Sequence, residues 1–142
     1  LVSAAEVSDG LFHFTAGNGS TAVRIAARGA VLAGGRFFGK GLKADRHAVR
    51  EAVFDLPVWQ PERRSDWHRA EFFDPRGHEI NQAGLETDAA LRPLGAAGRP
   101  FHPRLHAAGA ILAHQDWMRM KCGAGLAIAT ACKAVRELSQ NL

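Results

Sequence analysis

A helix that opens on glycines is the first place in this 142-residue chain where chemistry could be housed. The run Cys122-Gly-Ala-Gly-Leu-Ala-Ile-Ala-Thr-Ala places Gly123 and Gly125 ahead of an alanine-rich segment. A helix N-terminus carries about half a positive charge and several free N–H groups. Those groups stabilise negative charge on a phosphate, or on the pyrimidine end of a reduced flavin. Glycines there let a ligand reach the backbone, and they serve equally for tight packing of helix on strand. A second candidate is Ala30-Val-Leu-Ala-Gly-Gly, ending in Gly34 and Gly35. It reads as a strand end beside a nucleotide, or as an ordinary buried strand with a turn. The third is a polar set in the middle of the chain: Arg46, His47, Arg50, Glu51, Thr87, Asp88 and Arg92. The planar fork of arginine suits phosphate, and histidine is an acid–base group near neutral pH. The same residue types are also everyday surface ion-pair partners.

Other chemistries find no footing. There is no Gly-x-Ser-x-Gly elbow and no Walker loop, and the seven histidines show no metal-ligand spacing. His102 and His106 are four apart, but Pro103 between them argues against a helical pair. Cys122 and Cys132 lie ten apart in or beside one helix and point in different directions. A mutual disulfide is therefore not expected, and the pair fits a reducing, cytosolic setting. The formal charge is +4 and the pI about 9.7. The basic residues are scattered, with a modest cluster at Arg63, Arg64, His68 and Arg69, and no aromatic-interleaved stripe supports nucleic-acid binding. The surplus suits an anionic substrate or an acidic partner surface. A hydrophobic fraction of 46% and a charged fraction of 23% are ordinary for a soluble domain. No apolar run is long enough to cross a bilayer, and no signal-peptide pattern is visible.

The elements that must position these residues follow from periodicity. From Leu1 to about Ala27 the chain alternates, with Leu11, His13 and Thr15 facing one way and Phe12 and Phe14 the other. Gly17-Asn-Gly-Ser is a turn signal, and Val23 and Ile25 share a face beyond it, so a hairpin within a small meander is expected. Ala30 to Ala33 reads as a buried, parallel strand. Arg36 to Arg50 reads as a loop or short helix, Val49 to Trp59 as a strand interrupted by Pro57, and Pro61 to Asp74 loosely as a short helix. Pro75 to Pro103 is irregular, as functional or interface loops are. Phe101 to Ile111 returns to a strand. Gly123 to Leu138 is the clearest helix, with Leu126, Ala129, Cys132, Val135 and Leu138 as its stripe, and Lys133, Arg136 and Glu137 toward water.

Taken together, these pieces resemble the B subunit of anaerobic glycerol-3-phosphate dehydrogenase over roughly residues 20 to 140. The carrying residues are Ala30-Val-Leu-Ala-Gly-Gly-Arg-Phe-Phe-Gly-Lys-Gly-Leu, Ala44-Asp-Arg, Val49-Arg-Glu, Phe54-Asp-Leu-Pro-Val and Trp67-His-Arg-Ala-Glu-Phe-Phe. Thr87-Asp-Ala-Ala-Leu-Arg-Pro, Leu105-His-Ala-Ala-Gly-Ala-Ile-Leu and Cys122-Gly-Ala-Gly complete them. The phenylalanine-glycine run together with Thr-Asp-x-x-Leu-Arg-Pro is the specific part.

The resemblance implies a flavoprotein of the fumarate-reductase group. Its complex oxidises sn-glycerol 3-phosphate to dihydroxyacetone phosphate and passes electrons to the quinone pool. It also implies a catalytic A subunit, an iron–sulfur membrane-anchor C subunit, FMN or FAD as cofactor, and a cytoplasmic place on the inner face of the membrane. Related flavoproteins often carry Gly-Glu or Gly-Asp after the last strand, where this chain has Gly109-Ala110. That fits FMN, a lost site, or backbone-only contacts. The expected fold is α/β: the C-terminal half of a Rossmann-like flavin-binding lobe with a β-hairpin or meander. Residues 1–35 and 101–142 would belong to the lobe, and 36–100 to an inserted cap or substrate-side region. The phosphate-binding first half is absent, so the chain is expected to be a fragment that exposes surface its parent buries, which invites homodimerisation. On this reading the backbone at Gly34, Gly35, Gly109, Gly123 and Gly125 lines the flavin, and Arg46, His47 and Arg92 supply charge on the substrate side. An electron-relay or docking role, with no contact to the substrate, is the rival.

Overall fold

The computed structural model describes residues 2–17 and 19–142, with only the backbone of Ser3 and Ala4. Leu1 and Asn18 lie outside the described residues, and with them the start of the first alternating run and one member of the Gly17–Ser20 turn signal. Strands β1 (Val2–Ser8), β2 (Leu11–Ala16) and β3 (Val23–Ala27) form an antiparallel meander. Asp9 and Gly10, both at positive φ, make the two-residue turn that joins Ser8 to Leu11. A turn of that hand matches the twist of its strands. The alternation sends Phe12 into the core, where it packs on Phe14, Phe54 and His102.

β4 (Ala30–Leu32) and β7 (Leu105–Ala107) form a parallel pair, with Leu32 opposite Ala107. All three β7 residues are buried, as a parallel strand covered on both faces requires. The parallel strand expected at Ala30 is thus present, and the expected strand at 101–111 shortens to its central three residues. Gly109–Ile111 turns as a 3-10 helix. Helix α1 (Trp117–Met120) is short, and α2 (Gly123–Ser139) is long. The start of α2 falls where its glycines place it. Its inward face does not match the expected stripe. Leu126, Thr130, Ala134 and Leu138 turn inward at spacing four, while Ala129, Cys132 and Val135 are exposed and Glu137 is half-buried. In an alanine-rich helix the apolar pattern has little contrast. The Thr130 hydroxyl, engaged by the loop after β7, fixes the rotation instead.

The region 36–50, expected as a loop or short helix, contains a hairpin of β5 (Leu42–Ala44) and β6 (Val49–Glu51). Its turn is set by Asp45, whose carboxylate accepts the N–H groups of His47 at 2.6 Å and Ala48 at 2.9 Å. The strand expected over 49–59 ends at Glu51, whose buried carboxylate accepts the N–H groups of Val53 and Phe54 and bends the chain away. The expected helix at 61–74 is a single 3-10 turn, Arg64–Asp66, followed by buried Trp67. Leu42, Val49, Leu56, Trp67, Ile80 and Leu85 join Phe12, Leu105 and Ile111 in one hydrophobic cluster. The inner face of the meander is only partly covered. Phe14, Ile25 and Ala27 border an open apolar cleft of about 420 Å³ whose far wall is Gly29 to Gly34.

Candidate functional site

The parallel pair decides where the glycines meet. The last ladder bond runs from the Ala108 N–H to the Leu32 carbonyl at 3.0 Å. Gly34 and Gly109 therefore lie just beyond the same, C-terminal end of the two strands. That end of a parallel sheet is where open α/β folds take their ligands. Helix α2 runs back along the pair: its far end meets Gly29 through Leu138, and Arg28 bonds the Leu142 carbonyl. Its N-terminal turn, with Gly123 and Gly125, accordingly lies at the strand ends too.

Each glycine has its own surroundings. Gly34 and Gly35 cross Gly39 and Gly41 backbone to backbone, and a Cβ at Gly39 or Gly41 would collide with the carbonyl oxygens of Gly34 and Gly35. This crossing explains the glycine-rich run 34–41 by packing. Gly109 sits at φ +75°, in the left-handed region that favours glycine, and donates its N–H to Thr130 Oγ1 at 2.8 Å. A Cβ on Gly123 would rest on the Trp117 ring, whereas one on Gly125 would meet nothing within 4 Å. Gly125 is thus the position where the first turn of α2 lies bare.

Arg36 is the residue that sequence reasoning left out. Its Nε donates to the Ala110 carbonyl at 2.6 Å, and its Nη2 to Leu112 at 3.2 Å and Gln115 at 2.7 Å. Burial lowers its pKa, opposed by the nearby Asp116 carboxylate. The guanidinium remains charged at any working pH. The available signal was an arginine placed directly after a glycine turn.

The polar set does not converge. Arg46 and His47 are exposed at the tip of the β5–β6 hairpin. Arg92 is half-buried and committed to Asp88, at 2.6 Å through Nη2 and 2.8 Å through Nε. Asp88 also accepts the N–H groups of Ala90 and Arg92, so the pair braces the 87–93 loop. Among the described residues no hydrogen bond or ion pair links Arg46 or His47 to Arg92. Arg50 meets Asp55 at 3.6 Å on the surface. The basic cluster is locally matched: Arg63 pairs with Asp66, Arg69 with Glu79, and Arg64 lies over the Trp67 ring. An open cleft of about 700 Å³ between β1 and the hairpin is bordered by Glu6, Lys43, Asp45, Arg50 and Phe101. Both cysteines are free thiols. Among the described residues no group of three His, Cys, Asp or Glu could hold a metal. None of the described helices is long and apolar enough to cross a membrane.

A glycine-rich strand end with a helix N-terminus beside it is an arrangement that nucleotide-binding α/β domains use, and the family comparison points to that class. The FAD binding domain family matches residues 4–126, and the chain belongs to that family. The mixed strands and long helix fit an α/β flavin-binding fold. Its relatives include the B subunit of anaerobic glycerol-3-phosphate dehydrogenase from Vibrio cholerae serotype O1, 38% identical over 114 residues, 80% of this chain and 26% of that protein. The protein of the same name from Yersinia pseudotuberculosis serotype I is 36% identical over 120 residues, 84% of this chain and 27% of its own length. A protein of Halobacterium salinarum named as the probable B subunit of the same enzyme is 38% identical over 104 residues, 73% of this chain and 24% of that one. The resemblance read from the sequence is borne out. The chain spans about a quarter of the length of these curated relatives. No solved structure matches it significantly.

Proposed function

We propose that this chain is the C-terminal portion of a flavin-dependent dehydrogenase, of the type of the B subunit of anaerobic glycerol-3-phosphate dehydrogenase. The observation that carries the reading is the meeting of Gly34, Gly35, Gly109 and the α2 N-terminus at one end of the parallel pair, in a chain of the FAD-binding family. The lobe is read as Rossmann-like, with residues 36–100 on its substrate side.

The residues present fit such a group through their backbone. Gly34 and Gly35 offer peptide surface at the strand ends, and Gly109, buried with its N–H held by Thr130, turns the loop that follows β7. Gly123 and Gly125 open the first turn of α2, where free N–H groups favour an anionic cofactor edge. With Ala110 rather than a carboxylate after Gly109, this reading relies on contacts from the backbone. The family description favours FAD, and FMN is the other flavin this geometry would take. A bound flavin supplies the hydride acceptor for oxidation of sn-glycerol 3-phosphate to dihydroxyacetone phosphate, with electrons passing on to quinone. Arg46 and His47, exposed at a hairpin tip, are the groups available for a small anionic substrate, and Arg92 would have to leave Asp88 to join them. The catalytic A subunit and the iron–sulfur C subunit complete the complex in this reading, and the latter holds it at the inner face of the membrane.

The dispersal of Arg46, His47 and Arg92 supports a second reading, in which this region relays electrons or docks on the catalytic subunit without touching substrate. The deciding experiment is a titration of the full-length parent with FAD and with FMN, using this chain as the parallel control. Stoichiometric binding by the parent alone supports a site divided between this chain and the rest. Failure of both to bind transfers the assignment to docking.

A further inference from the structure

We propose that Arg36 is a positioning residue for the cofactor surface, holding the loop after β7 in the shape the flavin meets. The proposal rests on the flavin reading above. The ladder between β4 and β7 stops at Leu32 and Ala108. Beyond that point, every hydrogen bond between residues 33–41 and 109–122 among the described residues comes from the Arg36 side chain. One guanidinium therefore sets the separation between the Gly34–Gly35 turn and the 110–115 segment.

The loop is held from its other side by Thr130, which accepts the Gly109 N–H from within α2. Arg36 and Thr130 together tie the Gly34–Gly35 turn, the loop after β7 and helix α2 to one another. Neither needs to touch a ligand to do so. Three carbonyls at different points of a loop suit a planar fork with separate donors. A lysine ammonium presents all its donors from one nitrogen and cannot reproduce the span from Ala110 to Gln115.

The test uses the full-length protein that carries this sequence, with wild type, R36K and R36A compared. FAD affinity is measured by equilibrium dialysis, and the environment of bound flavin by its visible absorption and midpoint potential. R36A is expected to lose FAD affinity by roughly tenfold or more, with an altered flavin spectrum, and added guanidinium ion should restore part of both. R36K is expected to fold and to fall between the two. Should R36A fail to fold, R36K against wild type carries the comparison. A folded variant with wild-type affinity, spectrum and potential overturns the role of Arg36 and leaves the flavin reading standing. A wild-type protein that binds no FAD overturns both.

Discussion

The backbone N–H of Gly109 donates to Thr130 Oγ1 at 2.8 Å, and the same hydroxyl donates to the Leu126 carbonyl at 2.6 Å. One side chain thus satisfies a buried amide of the loop and ties it to the helix. Replacing Thr130 with valine keeps the volume and strands the Gly109 N–H. The expected loss is about 1–3 kcal/mol, read as a lower urea midpoint at unchanged slope. Thr130→Ser should recover most of it. A valine variant with the wild-type midpoint would remove this bond from the account.

Gly41 and Gly125 should respond to substitution in opposite ways. A methyl group at Gly41 would run into the Gly35 carbonyl, and backbone on backbone has no rotamer to yield. Gly41→Ala should cost about 3 kcal/mol or more and appear as loss of soluble protein. Normal expression and melting of that variant would show that the crossing can open.

At Gly125 the space is free, and a side chain inside a helix adds about 0.5–1 kcal/mol over glycine. Gly125→Leu should therefore melt no lower than the wild-type protein. In the full-length parent it should abolish flavin binding, because the side chain would fill the approach to the helix end. Unchanged flavin content would take Gly125 out of the cofactor surface.

His102 makes stability depend on pH. Burial, and then the neighbouring Arg104 charge, hold its pKa below the usual imidazole value. Its Nδ1 accepts the Arg104 N–H at 3.1 Å, which only the unprotonated nitrogen can do. The folded state binds the proton less readily than the unfolded chain, so this contribution is complete above about pH 6.5 and is lost as pH falls through the lowered value. An NMR titration should place the His102 midpoint below that of a free histidine. His102→Asn should flatten the change in urea midpoint between pH 7.5 and pH 5, and an equally steep change would exclude His102 as its source.

The pair of Asp88 and Arg92 titrates in the acid range. Burial resists ionisation of Asp88, but the Arg92 guanidinium and the backbone N–H groups of Arg92 and Ala90 outweigh it and hold the carboxyl low. The unfolded chain binds more protons in that window. The stabilisation is present above about pH 3.9 and disappears as the folded group protonates. With both side chains partly exposed, Asp88→Asn should cost only about 1 kcal/mol at pH 7 and nothing once wild-type Asp88 is protonated. Equal destabilisation at both extremes would point to the loop hydrogen bonds rather than the charge.

Much of the frame was readable in the residues. Ala30–Leu32 announced a buried parallel strand because an apolar run ended in two glycines, and Gly123 announced the start of α2. The β5–β6 hairpin was hidden because its three-residue strands carry Lys43 and Arg50, and the turn depends on the Asp45 carboxylate rather than on a glycine. The face of α2 was misread because alanines give no amphipathic contrast, and a hydroxyl–amide bond cannot be seen in a hydrophobic pattern. Arg36 escaped for a related reason: all three of its partners are carbonyls, and every residue type has one.

The parallel pair has a consequence for the order of events during synthesis. β4 is made before its partner strand, and all three Arg36 acceptors lie beyond residue 104. The glycine turn at 34–35 must wait through the intervening residues before its ladder and its guanidinium contacts exist. By the same connectivity, a single protease cut in the exposed stretch around Phe72 and Phe73 would leave two pieces still joined by the ladder and by Arg36. Those pieces, produced separately, are the natural halves for a complementation assay.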